Sequence, residues 1–260
     1  MKPFVEQESV VRKIWGRSDT VLFIFAGAAA EFALNKAVDW LYFTGKLPAD
    51  PIGRLFSTVR YARNIVFAPE SDALRTIDTI HHIHKAVEHK RGSHIPDWAY
   101  RDVLFMLIHY SIASYELLNK ALSANEKEEV YQVFYRLGKR MHLKDLPATY
   151  TEWLPVREAH LINNLEKSTF TTDLFKQYKK HLGGPRYAIL IEAQKLVVPK
   201  HVKQLLGFRR VHWLSPAVPL YAFSRYIKMD DWVRTILLPG KYKAQIDALN
   251  HPPLLNQEQL

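Results

Sequence analysis

The sequence predicts an all-α fold, one helical domain without strands, and three observations carry that expectation. Apolar residues recur at helical spacing through almost every segment, and no strand–turn–strand pattern interrupts them. Glycine is scarce, at 10 in 260 residues, where about 7% is usual and a β-rich chain needs more tight turns. Ser, Asp and Pro stand where helices begin, and glycines stand where several end. At this length one large domain has room for a sizeable core.

Taken in order, Ser18-Asp19-Thr20 opens a helix through the alanine-rich stretch to about Phe43, with Gly45 as its stop. Asp50-Pro51 is a cap followed by proline at the first helical position, and its helix runs to about Phe67. Ser71-Asp72 starts another to about His89. A helix from about Tyr100 to Leu122 is apolar nearly all round and is expected at the centre. Ser123 and Glu126 form a capping box before a helix ending near Arg140. Further helices are expected at about 152–167, 171–182, 186–206 and 216–229. Residues 1–206 are expected to form the helical domain, and 207–260 a basic, aromatic-containing extension packed on it.

There is no cysteine, which excludes a disulfide framework, a thiolate metal site and a cysteine nucleophile. Histidine, arginine and carboxylates must carry the chemistry. The net charge is +10, and from Lys176 onwards 14 Lys/Arg face only 5 Asp/Glu. A basic last third suggests an anionic membrane surface, an acidic partner or a nucleic acid. No helix-turn-helix spacing or RNA-binding signature is present, so nucleic acid is not expected. Phe208, Trp213, Tyr221, Phe223, Tyr226 and Trp232 lie among these charges. They make either a peripheral membrane-docking surface or a solvated face, and the sequence leaves both readings open. The start of the chain has no apolar stretch of secretion-signal type. The run from Val21 to Ala30 is followed by Glu31, Lys36 and Asp39, too early for a membrane span of about 20 residues. A cytoplasmic protein, peripheral to the membrane at most, is expected.

Five residues could carry chemistry. Ala73, Ile77, Ile80, His84 and Val87 share one helix face that is apolar except for His84, while His82 and His89 point elsewhere. His84 is therefore a satisfied core histidine, a metal or haem ligand, or a base. His109 lies among apolar neighbours and needs a partner, since burying an imidazole without one costs about 1–3 kcal/mol. Arg54 and Thr58 are four apart, with Tyr61 and Ile65 on the same face. Together they can bind an anion or a polarised oxygen, or they are a surface arginine and a tolerated threonine. Glu31 is set into a small-residue helix, where burial would suit an acid or base. His81, His84 and Glu88 have a spacing compatible with a non-haem metal site, though Lys85 and Lys90 argue against a second cation.

These residues, in this order, resemble the haem-dependent oxygenase family of the rubber oxygenase (latex clearing protein) and the MpaB-type oxygenases of fungal meroterpenoid synthesis. Asp50-Pro51-Ile52-Gly53-Arg54-Leu55 with Thr58 resembles the family's D-P-x-G-R-L-x-x-T helix start. Thr79 to Val87 resembles its V-R-x-I-H-x-x-V segment, with His84 as the histidine. Leu107-Ile108-His109 followed by Tyr115-Glu116 resembles its W-V-H…Y-E helix, and Thr44-Gly45-Lys46-Leu47 its T-G-x-L turn. The likeness covers roughly residues 11–206. It implies a globin-like haem-binding core around haem b (iron), with His84 as the proximal ligand, its other nitrogen held by an acceptor, and dioxygen opposite. It implies that Arg54, Thr58 and His109 contact the cofactor, that Arg54 and Thr58 also act in catalysis, and that Glu31 is the acid/base carboxylate when an isoprenoid double bond is cleaved. Ser57 stands where the latex-clearing type has a lysine able to close the iron's distal position, which implies an open or water-bound one. Asn35-Lys36-Ala37 replaces the Leu-His-Pro of many bacterial relatives. The expected activity is oxygenation of an apolar unsaturated (isoprenoid or lipid-like) substrate; the alternative is a non-catalytic haem-binding sensor or carrier.

Overall fold

The computed structural model describes residues 2–45 and 49–209. Ser9 Oγ accepts the Val11 N–H at 3.1 Å and starts α1, Val10–Trp15. Helix α2, Ser18–Phe32, follows at once, but the helix expected to reach Phe43 breaks after Phe32 and resumes as α3, Asp39–Phe43. Asn35 makes the break. Its Oδ1 accepts from the Ala37 N–H at 2.9 Å and its Nδ2 donates to Asp102 at 2.7 Å. Asparagine here offers the backbone a competing local bond, as Asn and Asp do at turns. The freed Lys36 N–H and Leu34 carbonyl pair with Asn164 and Glu166, at 2.9 and 2.8 Å.

Helix α4, Pro51–Phe67, begins as expected, with the Asp50 side chain accepting from Gly53 N–H at 3.1 Å. Helix α5, Glu70–Arg91, ends at Gly92, whose φ of 69° favours glycine. Helix α6, Asp97–Leu118, starts and stops a few residues earlier than its apolar pattern suggested, because Pro96 sets its entry. Both bonds of the predicted capping box are made at α7, Ala124–Arg140. Then come α8 (Tyr150–Asn164), α9 (Thr169–Leu182), α10 (Gly184–Val197) and α11 (Lys200–Leu206). The single helix expected over 186–206 is thus two. Pro199 lacks an N–H and disfavours helical backbone at the residue before it, and Val198 is extended. The helix expected at 216–229, and the extension beyond Arg209, lie outside the described residues.

The fold is all-helical, and among the described residues only two isolated β-bridges occur, Pro3 with Pro69 and Asn35 with Leu165. Helices α2 and α6 make the most extensive contact and form the centre. The small residues of α2 allow this: a Cβ on Gly27 would lie 2.3 Å from the Tyr110 ring. Helix α10 covers α2 and α6 on one side, α7 covers α6 on another, and α4 and α5 pack as a hairpin beside them. Trp15, Ile24, Phe105, Ile108, Tyr110 and Trp153 are fully buried between these layers. No helix among the described residues is long and apolar enough to cross a membrane.

Candidate functional site

Between α2, α4, α5 and α6 lies a cavity of about 310 Å³, lined mostly by apolar side chains such as Phe25, Phe32, Ile65, Ile80, Met106 and Leu107. That volume falls at the lower end of the usual range for ligand pockets, about 300–1,000 Å³. Ile83 and Val103 line it while remaining 43% and 39% exposed, so its mouth lies between α5 and α6.

Three of the five predicted residues meet here. Arg54, Thr58 and His84 all line the cavity, and Tyr61 and Ile65 continue the α4 face as the spacing required. His84 stands on its apolar stripe, with Ala73 and Ile77 buried below it and His82 and His89 exposed. Its Nδ1 is buried without a hydrogen-bond partner. The acceptor expected on that ring is therefore not found among the described residues. Burial holds the His84 imidazole down at about 4, and the Arg54 guanidinium nearby adds to the effect. Among the described lining residues Arg54 is the sole formal charge. Its guanidinium donates to Ser57 Oγ at 3.3 Å and has no carboxylate of the described residues within ion-pair distance, and burial lowers its pKa. Thr58 Oγ1 donates to the Arg54 carbonyl at 3.3 Å.

The sequence pattern of the family described as "ER-bound oxygenase mpaB/B'/Rubber oxygenase, catalytic domain" matches residues 12–238. The chain belongs to this oxygenase family. No curated protein and no solved structure matched. The match runs past residue 206, where the likeness read from motifs ends. Two of the four segments that resemble the family fall on the cavity walls: Asp50 to Thr58 is the cap and first two turns of α4, and Thr79 to Val87 lies in the second half of α5.

Glu31 and His109, the other two predicted residues, do not line this cavity. Glu31 is buried, and both its oxygens are taken by Arg157, at 2.6 and 2.5 Å, with Tyr110 Oη donating at 2.7 Å. His109 packs edge-on against Tyr110, with ring centroids 5.0 Å apart. The hydrogen bond expected of it is not made to any described residue. Instead burial, helped by the Arg157 charge, holds it down at about 3, in the neutral form.

The metal spacing His81, His84, Glu88 does not close either. Among the described residues no group of three His, Asp or Glu can hold a bare metal ion. Glu88 is buried and accepts instead from Lys85 Nζ at 2.8 Å, the Ile95 N–H at 3.0 Å, Tyr100 Oη at 3.0 Å and His94 Nδ1 at 3.2 Å. These donors hold its pKa down at about 2 against the opposing effect of burial. Sequence reasoning missed Tyr100, which lines the cavity with its ring edge-on to His84 at 5.2 Å. It also missed Asp102, buried on α6 and bonded to Asn35, Asn164 and His160. A carboxylate in an apolar helix was the available signal, the same one that marked Glu31.

Proposed function

We propose that the chain is a haem b-dependent oxygenase acting on an apolar unsaturated substrate, isoprenoid or lipid-like. One observation supports this above the others: a chain of an oxygenase family has an apolar cavity lined, among the described residues, by one guanidinium with no carboxylate beside it on the wall and by one imidazole whose Nδ1 has no hydrogen-bond partner. That donor set fits a haem. A tetrapyrrole brings its own equatorial nitrogens and asks the protein for an axial ligand, an apolar slot and a cation for its propionates. Haem, when bound, supplies the redox chemistry that activates dioxygen.

The chain's own residues have separate tasks in this reading. His84 would hold the haem iron, and its neutral state leaves a lone pair free for a metal at ordinary pH. Arg54 offsets negative charge on the bound group, and in low dielectric that interaction is strong. The Thr58 hydroxyl lies one turn further along the same face, where it would offer a hydrogen bond to a polar group in the cavity. Phe25, Phe32, Ile80 and Leu107 orient an apolar chain and exclude water. A globin-like arrangement around the haem is part of this proposal. So is a cytoplasmic site of action with peripheral contact to an anionic membrane through the basic last third. Replacing Arg209 and Arg210 by Glu is expected to weaken liposome binding; equal binding refutes the contact.

A non-catalytic haem-binding sensor or carrier is the second reading, and one observation favours it. Glu31, the carboxylate expected to move protons, lies off the cavity and is closed off by Arg157 and Tyr110, and no Asp, Glu or Lys lines the cavity among the described residues. The deciding experiment is an absorption spectrum of the full chain, as isolated, after haemin addition and after dithionite, beside His84→Ala. A Soret band that is lost or shifted in the variant supports the haem and its ligand together. No band in the wild type, even with added haemin, refutes the proposal. Oxygen uptake with an isoprenoid alkene and a reductant then separates oxygenase from carrier.

A further inference from the structure

The Nδ1 of His84 has no hydrogen-bond partner among the described residues, yet a ligand must present one nitrogen in one direction. The Tyr100 ring packs edge-on against the imidazole, with centroids 5.2 Å apart and planes at 83°. Tyr100 comes from the first turn of α6, whereas His84 is in α5, so the contact also spans the two helices that flank the cavity mouth.

Tyr100 is itself fixed. Its Oη donates to Glu88 Oε1 at 3.0 Å, and Glu88 stands four residues after His84, on the same side of α5. Glu88 is 4% exposed. A carboxylate this buried is stable only when its lone pairs are filled, and four donors fill them. Two of the four come from the turn between α5 and α6. The backbone N–H of Ile95 and the imidazole of His94 close that turn onto Glu88 after Gly92 reverses the chain. Glu88 therefore ties the end of α5, the turn and the start of α6 to one point, and the Tyr100 ring hangs from that point against His84.

We propose that Tyr100, anchored by Glu88, is the positioning residue that sets the rotation of the His84 imidazole in the cavity. Ring-to-ring contact replaces the hydrogen-bonded acceptor that usually orients a ligating histidine. The arrangement leaves His84 without an anionic partner on its second nitrogen, so the ring is oriented while its basicity is not raised. This rests on reading His84 as the ligand, and the experiment keeps the two claims apart.

The test uses the full chain in two arms. The first needs no haem: ¹⁵N-histidine-labelled protein gives imidazole signals, and the His84 signal is the one lost in His84→Ala. In the wild type it is expected as one narrow set. Tyr100→Leu removes the ring and is expected to broaden or split it. Tyr100→Phe keeps the ring but frees it from Glu88, so a smaller change of the same kind is expected. The second arm is haemin titration, where Tyr100→Leu weakens binding roughly tenfold, the scale of a lost outer-sphere partner. A His84 signal unchanged in both Tyr100 variants overturns the proposal, whatever haemin does. A wild type that fails to bind haemin, with a His84 signal that still responds to Tyr100→Leu, overturns the haem reading and leaves the positioning standing. If Tyr100→Leu does not fold, by far-UV circular dichroism, Tyr100→Phe and Glu88→Gln decide the matter.

Discussion

Arg54, His84 and His109 each carry a cost in the ligand-free fold, and each cost is measurable. His84 and His109 are held neutral by burial, at about 4 and about 3, where an ordinary histidine sits near 6.5. Both folded values lie below the unfolded one. Between them the unfolded chain binds more protons, so stability is full above about pH 6.5 and falls as pH drops towards 4. Urea melts from pH 7.5 to 4.5 are expected to show it, each group contributing up to about 1.4 kcal/mol per pH unit. His109→Leu is expected to flatten that slope; an unchanged slope would show that His109 is not buried neutral. Arg54 is different in kind. It is a desolvated cation facing an apolar cavity that no carboxylate of the described residues lines, which a fold keeps for a ligand rather than for stability. Arg54→Met is therefore expected to raise the urea midpoint, by about 0.5–2 kcal/mol in stability, while weakening haemin binding. Lower stability with unchanged binding would make Arg54 a structural residue.

Helices α2, α6 and α8 are joined by a buried ion pair rather than by apolar packing alone. Arg157 of α8 grips Glu31 of α2 in two parallel bonds, and Tyr110 of α6 caps the same carboxylate. Breaking such a pair from one side leaves a buried charge and costs about 3–5 kcal/mol. Arg157→Ala is expected to lose that much in urea melts, and Arg157→Lys to recover little, since an ammonium cannot make the two-pronged contact. Glu31→Gln is likewise expected to lower stability and to leave haemin binding in place, which would remove Glu31 from the chemistry. These elements show how much the sequence made legible. Starts governed by local chemistry were readable: Asp50-Pro51 and the Ser123–Glu126 box begin helices as expected. So were the face shared by Arg54 and Thr58 and the face that carries His84, because helical periodicity fixes each; that the two helices bring them to one cavity came only from the family resemblance. The break at Asn35 was not, for Asn35 earns its turn through Asp102, 67 residues away. Arg157 was not either, since it lies 126 residues from Glu31 and nothing local to it signals a partner. His109 shares an apolar helix with the core, and periodicity alone did not tell the cavity face from the α8 face.

At the scale of the molecule, the cavity exists only when distant parts of the chain are assembled. Its wall includes Phe25 from α2, Arg54 from α4, His84 from α5, Leu107 from α6, Leu137 from α7 and Tyr178 from α9. No unfolded or partly folded form keeps these side chains together, so a ligand of the cavity binds the native state alone. Linkage then gives the expected size of the effect. At a free concentration 100 times its Kd, such a ligand adds about 2.7 kcal/mol, which for a chain of this size raises Tm by about 5–10 °C. Haemin is expected to produce that rise in the wild type. It should produce little in Leu107→Trp, where an indole fills the apolar slot, and a reduced rise in His84→Ala, where the slot remains but the imidazole is gone. In Arg209→Glu, a position that does not line the cavity, the rise should equal that of the wild type. A shift that survives Leu107→Trp would place haemin somewhere other than this cavity. The assignments of His84, Arg54 and Thr58 would then fall together, because the shared wall is what joins them.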